Sequence, residues 1–177
     1  MRAVLDANVL YPTILREILT DLAVAGLFVP LWSARILAEW RHAAARLGDD
    51  QDAVVGAEIA LLRMRFPAAE VAGGAVAALD LPDPADLHVV ETALAGGAGL
   101  IVTANLRDFP RTAMAGLGLR ALHPDAFLLD LHAATPETVA AAVETARAKA
   151  ESMGGAMDLY EMLKRSRLPR LSKRLKG

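Results

Sequence analysis

No cysteine occurs among the 177 residues. That removes disulfides, thiolate zinc sites and cysteine nucleophiles together. Aromatic residues make up only 5% of the chain, too few to build a ladder of stacking platforms for single-stranded nucleic acid. No uninterrupted apolar run approaches the roughly 18 residues of a membrane helix, and no basic-then-apolar leader with a small-residue cleavage site is visible. The expectation is a soluble, cytoplasmic protein with no membrane segment. Acidic side chains are also missing from one stretch: Lys164 to Lys176 holds seven basic residues and no acid. The remainder carries 12 basic against 21 acidic side chains, a net of −9, although the whole chain is only −2. Such a tail is either a solvated end or a phosphate-contacting arm, with Lys173, Arg174 and Lys176 as its candidate RNA-binding residues.

What is present is apolar: 54% hydrophobic against 23% charged residues, enough for a packed core in one domain of this length. Strand-like and helical patterns alternate along the chain. Ala3 to Leu5 reads as a buried first strand, and Leu27 to Leu31 as a second that Pro30 confines to an edge or a strand end. Between them, Ile14, Leu15, Ile18, Leu19 and Leu22 keep helical spacing up to Gly26. Ser33 caps a helix whose apolar face is Ile36, Leu37, Trp40, Ala44 and Leu47. After Gly48, the residues Val54, Val55, Ile59, Leu61 and Leu62 predict another helix. Residues 66–81 fit neither pattern, with a turn at Gly73-Gly74. A helix opened by Asp83-Pro84 runs to about Gly96, followed by a strand at Leu100 to Val102. A short helix is expected near Thr112 to Ala115, a weaker strand at Leu119 to Leu122, and helices from Asp125 and from Pro136 to Gly154. Strands separated by helices predict an α/β fold with a parallel sheet covered on both faces. The expected organisation is a core over residues 1–132 and a C-terminal helical extension over 133–177, packed on the same domain.

Four carboxylates stand at or beside element ends. Asp6 ends the first strand, and Glu39 lies in the helix after the second. Asp86 falls in the first turn of the helix opened by Asp83-Pro84, and Asp108 closes the loop after the Leu100 to Val102 strand. Each has an ordinary alternative. Asp86 with Asp83 fits a capping box, Glu39 fits a helix surface, and Asp108 before Phe109-Pro110 fits a turn. Asp6 fits these alternatives least well, because a charge directly after a buried strand needs a partner. Ligands in open parallel sheets sit outside the carboxyl ends of the strands. Converging carboxylates there would suit Mg²⁺ or Mn²⁺ and metal-assisted phosphodiester chemistry.

With these residues in view, the chain resembles the PIN-domain ribonucleases, specifically the VapC-type toxins of toxin–antitoxin pairs. The resemblance rests on Leu5-Asp6-Ala7-Asn8-Val9-Leu10, on Glu39, on Asp83-Pro84-Ala85-Asp86-Leu87-His88-Val89-Val90, and on Val102-Thr103-Ala104-Asn105-Leu106-Arg107-Asp108-Phe109-Pro110. These stand in the family's order over most of residues 1 to 125. The resemblance implies a three-layer α/β/α fold with a central parallel sheet, and a Mg²⁺ or Mn²⁺ site from Asp6, Glu39, Asp86 and Asp108. It also implies endoribonuclease activity on single-stranded or structured RNA and a cognate antitoxin protein. A homodimer is expected as well, the apolar positions of the first helices and the C-terminal leucine stripe being dimer surface, antitoxin surface or core. Many members have aspartate where this chain has Asn105, which shifts the last metal position toward Asp108. Asn8, Asp83, Thr103 and Asn105 are expected to support the site by hydrogen bonds.

A noncatalytic PIN-type RNA-binding or scaffold protein predicts RNA retention without cleavage. A phosphatase with Asp6 as covalent nucleophile would want an acid two residues on, where Asn8 stands. A nuclease acting on flapped DNA is separated by comparing substrates. His88, two residues after Asp86, is expected to be structural, with a place lining the cleft as the alternative. His42, His123 and His132 show no ligand spacing, Gly96-Gly97-Ala98-Gly99 lies in a helix-to-strand turn, and Trp32 and Trp40 are expected in the core or an interface.

Overall fold

In a computed structural model of the chain, residues 1–46, 48–74, 79–154 and 156–176 are described, Asp49 and Asp50 by backbone alone. They form two compact units: Met1–Tyr11 with Phe28–Leu122, and Pro12–Leu27 with His123–Gly177.

The first unit holds β1 (Arg2–Leu5), the one-turn helix α1 (Ala7–Leu10) and, after the chain has formed α2 (Thr13–Val24) in the second unit, β2 (Val29–Leu31). Helices α3 (Ala34–Ala45), α4 (Asp49–Arg65) and α5 (Leu87–Ala95) follow, then β3 (Leu100–Val102), α6 (Arg111–Gly116) and β4 (Arg120–Leu122). The four strands form one all-parallel sheet in the order β2-β1-β3-β4. The α/β class and the central parallel sheet flanked by helices are therefore as expected from the sequence, with α5 against β1 and β3 and α6 against β4. Pro30 lies opposite Ala3 in β2. Because β2 is an edge strand, a residue without an N–H is tolerated there. The middle strands need apolar residues on both faces: Val4, Leu5, Ile101 and Val102 are fully buried.

Capping fixes the helix starts. The Ser33 hydroxyl accepts from the Ile36 N–H at 3.3 Å, and Ile36, Leu37, Trp40 and Ala44 face the core. Leu47, expected on the same stripe, lies outside the described residues, as do residues 75–78 of the ambiguous 66–81 segment. In α4, Val55, Ile59 and Leu62 share one stripe and are buried, whereas Val54 and Leu61, off that stripe, are exposed. Trp32 packs edge-on to Phe66 with ring centroids 6.0 Å apart, and both tryptophans are core residues.

The second unit is helical: α2, α7 (Pro124–Ala134), α8 (Pro136–Gly154), α9 (Leu159–Arg165) and α10 (Pro169–Leu175). Helices α2 and α7 pack on α8, with Val139, Ala142, Val143 and Ala146 forming the buried stripe of α8. Gly26 ends α2 in the left-handed region at φ 81°, so that the Leu27 N–H reaches the Leu22 carbonyl at 3.1 Å. A side chain there would meet backbone strain. Among the described residues no helix is long and apolar enough to cross a membrane.

Candidate active site

The ladder of the sheet continues past its strands: the Asp6 N–H donates to the Val102 carbonyl at 3.1 Å and the Thr103 N–H to the Leu122 carbonyl at 3.0 Å. This places Asp6 and Thr103 side by side at the carboxyl ends of β1 and β3. Asp6 is 5% exposed and Thr103 fully buried. The charge demands partners there, and the structure supplies three. Asp6 Oδ1 accepts from the Ala7 N–H at 2.6 Å, so Asp6 is also the N-cap of α1, a helix too short to leave a periodic signature in the sequence. Oδ2 accepts from Asn8 Nδ2 at 2.6 Å and from the Thr103 hydroxyl at 2.7 Å. Asn8 Oδ1 in turn accepts from the Ala104 N–H at 2.9 Å, and Thr103 Oγ1 from the Asn105 N–H at 3.1 Å. The first strand and the loop after β3 are thus laced through Asp6, Asn8 and Thr103. Burial raises the Asp6 pKa most, against the three hydrogen bonds, which lower it, and the nearby Glu39 charge adds to the rise.

Asp83 caps the turn before α5, accepting from the Ala85 N–H at 2.9 Å. The capping box that is the ordinary alternative for Asp86 is not formed: residues Pro84–Asp86 make a 3-10 turn, α5 begins at Leu87, and the Asp86 side chain makes no capping bond. With three residues per turn instead of 3.6, the first turn carries the acid away from the position a box requires. It points among the other acids instead. Burial pushes the Asp86 carboxyl up to about 7, with the charges of Asp6, Asp108 and Asp83 and a hydrogen bond with Asp108 acting in the same direction. Asp108 ends a second 3-10 turn, Leu106–Asp108, and is held by the Asn105 side-chain amide, which donates to its Oδ2.

Glu39 reaches the group from α3. Its Oε1 lies 3.5 Å from Arg35 Nε and 2.8 Å from His88 Nε2. Burial raises its pKa, partly offset by Arg35. The histidine contact is short but outside hydrogen-bond alignment, and both ring nitrogens of the buried His88 are without hydrogen-bond partners. Burial pushes the His88 pKa down to about 4, helped by Arg35 and opposed by Asp6. This encounter of α3 with α5 has no signal in the spacing of either segment.

The structure therefore brings Asp6, Glu39, Asp86 and Asp108 within electrostatic reach, together with Asn8, Asp83, Thr103 and Asn105. Lys173, Arg174 and Lys176 are exposed residues at the end of the second unit. Among the described residues no three His, Asp or Glu side chains stand at the mutual spacing of a metal-ligand set. The donor chemistry nonetheless fits a hard divalent cation: the four acids offer only oxygen, and their mutual repulsion is relieved only by a proton or a positive ion.

A stability prediction follows from Asp86. Its folded pKa lies above the unfolded value of 3.8, so the folded chain binds the proton more tightly and loses stability as pH rises from about 4 to about 7. Asp86→Asn removes that loss. Because the carboxyl is only half-buried, solvent screening leaves about 1 kcal/mol, or ~2–4 °C in Tm for a chain of this size. The expected result in scanning calorimetry without divalent cations is a higher Tm for Asp86→Asn at pH 8 and a smaller gap at pH 5. An equal or lower Tm at pH 8 would refute the electrostatic account.

A segment of 45 residues, 25% of this chain, is 49% identical to a Mycobacterium tuberculosis (strain ATCC 25618 / H37Rv) protein named "Putative ribonuclease VapC50". The chain spans only 27% of that protein's length in the match. No solved structure matches. The family model described as PIN domain matches residues 2–107, which include Asp6, Glu39, Asp86 and Asn105 and stop one residue before Asp108. More than half of the sequence lies within that match, and the chain belongs to the PIN domain family.

Proposed function

We propose that this protein is a divalent-metal-dependent endoribonuclease and the toxin of a type II toxin–antitoxin pair. The observation that carries the reading is a convergence of acids: Asp6 is laced through Asn8 and Thr103 to the loop after β3, and Asp86 stands within hydrogen-bond reach of Asp108. Acids from three separate segments sit close enough to oppose one another's ionisation, at the carboxyl ends of a parallel sheet in a PIN domain. The partial match to a protein named as a ribonuclease and as a VapC supports the same direction.

Asp6 and Asp86 would hold a Mg²⁺ or Mn²⁺ ion, with Glu39 and Asp108 completing the set. When bound, such an ion supplies the charge that makes water nucleophilic at neutral pH and offsets charge on a phosphate. The chain's own contribution is orientation. Thr103, Asn8 and the Ala7 N–H fix both oxygens of Asp6. Asn105 holds Asp108, and Asp83 fixes the turn that carries Asp86. In-line attack on phosphorus with the 3′ oxygen leaving gives 5′-phosphate and 3′-hydroxyl ends. The antitoxin and the homodimer belong to this same proposal.

The test is incubation of the purified chain with total RNA in Mn²⁺, Mg²⁺ or EDTA, followed by mapping of the new ends. Cleavage in either metal and none in EDTA is the expected result. RNA held equally in EDTA and uncut after long incubation would make the protein a noncatalytic RNA-binding or scaffold member of the family. The exposed tail gives a further prediction. Neutralising Lys173, Arg174 and Lys176 is expected to weaken RNA affinity and to flatten its log–log salt dependence by about 2, at ~0.7 per lost phosphate contact on a single strand. An unchanged salt slope would make these residues a solvated end.

A further inference from the structure

We propose that His88 is a positioning residue for Glu39, its Nε2–H being the donor that sets where the Glu39 carboxylate stands beside Asp6. The inference rests on the nuclease reading for its effect on cleavage, but not for the contact itself. His88 is 5% exposed, and neither ring nitrogen has a hydrogen-bond partner. A buried polar group without a partner is destabilising, and a phenyl ring would fill the space without that cost. Glu39 Oε1 stands 2.8 Å from Nε2, within hydrogen-bond distance of the imidazole.

Both ends of the contact are held. The His88 carbonyl accepts from the Thr92 hydroxyl at 2.7 Å, and Val89 and Val90 beside it are fully buried, so α5 fixes the ring's origin. On the other side, Ile36 and Trp40 anchor α3 in the core. Arg35 donates through Nη2 to the Ala85 carbonyl at 3.1 Å while its Nε stands 3.5 Å from the same Glu39 oxygen. Arg35 thereby links α3 to the turn that carries Asp86. Arg35 and His88 thus both stand within 3.5 Å of Glu39 Oε1. A histidine supporting a carboxylate that faces a cation is an outer contact of the kind whose loss weakens metal binding ~10–100-fold.

The test uses the full chain and compares His88→Phe, His88→Gln, Glu39→Gln and the double variant His88→Phe/Glu39→Gln. Mn²⁺ affinity is read by calorimetry, RNA cleavage by initial rate, Tm by scanning calorimetry, and the ring nitrogens by ¹⁵N NMR. His88→Phe is expected to keep a near-wild-type Tm while weakening Mn²⁺ binding and cleavage about tenfold. His88→Gln, whose amide nitrogen takes the place of Nε2, is expected to restore most of both. The His88→Phe effect should vanish in the Glu39→Gln background, as coupling between contacting residues requires. In the otherwise native chain, Glu39→Gln should move the Nε2 signal of His88. Wild-type Mn²⁺ affinity in a folded His88→Phe protein would overturn the proposal. So would additive effects in the double variant or an Nε2 signal indifferent to Glu39→Gln. If the wild-type protein neither binds Mn²⁺ nor cuts RNA, the nuclease reading fails separately. The Nε2 signal then decides the His88–Glu39 contact alone, and should His88→Phe not fold, His88→Gln and that same signal still do so.

Discussion

Replacing Asp6 by asparagine is expected to reduce metal-dependent RNA cleavage on the order of 10³-fold, about 4 kcal/mol of transition-state stabilisation, in a protein that still folds. The two halves of that expectation have different origins. Asparagine keeps one acceptor oxygen, so the Ala7 N–H can retain its cap at the start of α1. The other oxygen becomes an amide donor facing Asn8 Nδ2, itself a donor at 2.6 Å in the native site. The Asn8 amide must then turn, which would give up its bond from the Ala104 N–H. Against that loss stands the removal of a buried charge whose pKa is raised above all by desolvation. The two nearly cancel, and Tm is expected to stay within about 3 °C, a change of ~1 kcal/mol. What does not cancel is chemistry: the amide is neutral, and the acid most fully fixed by its neighbours can no longer hold a cation. Cleavage assays in Mn²⁺ alongside calorimetry decide the matter. A folded Asp6→Asn protein cutting RNA at the wild-type rate would remove Asp6 from the mechanism.

That Asp6 could be singled out from the sequence has a physical reason. An apolar run buried on both faces followed at once by a charge is a local conflict, and local conflicts mark sites that neighbours must resolve. Pro30 was legible for a similarly local reason, since the missing N–H restricts a strand to an edge whatever the rest of the fold does. The same locality limits what a residue pattern can say. Asp86 has the residue pattern of a capping box, but whether its first turn is 3-10 or α depends on how Asp83 and Pro84 sit, not on their identity. The exposed Val54 and Leu61 of α4 illustrate that apolarity alone does not choose a stripe; the packing partner does. The contact between α3 and α5 left no trace. His88 meets Glu39 because α5 and α3 approach each other, and no spacing within either helix encodes that approach.

Asp125 is the clearest case of a long-range contact, and its removal is expected to be the most destabilising single change of those considered. Asp125 is 3% exposed, and its carboxylate accepts two backbone N–H groups, Arg170 at 2.9 Å through Oδ2 and Leu171 at 2.9 Å through Oδ1. Those are the second and third residues of α10, whose own N-cap, Leu168, has no side chain able to accept them. Pro169 at the first position has no N–H to satisfy. An acid from α7, 45 residues earlier, therefore does the work of a local cap and places negative charge at the positive end of the helix. It stands in the first turn of its own helix, where its N–H donates to His123 Nδ1 at 3.2 Å. Asp125→Ala strands two N–H groups, at a cost of about 3 kcal/mol. For a chain of this size that lowers Tm by ~6–12 °C. Asp125→Asn keeps one strong acceptor and should fall between. Because Leu171 and Ser172 are buried while Lys173 and Arg174 face outward, loss of the cap should also speed protease cleavage within the basic tail. Calorimetry combined with limited trypsin digestion tests both effects, and an unchanged Tm with unchanged digestion would show that α10 holds its place by apolar packing of Leu168 and Leu171 alone.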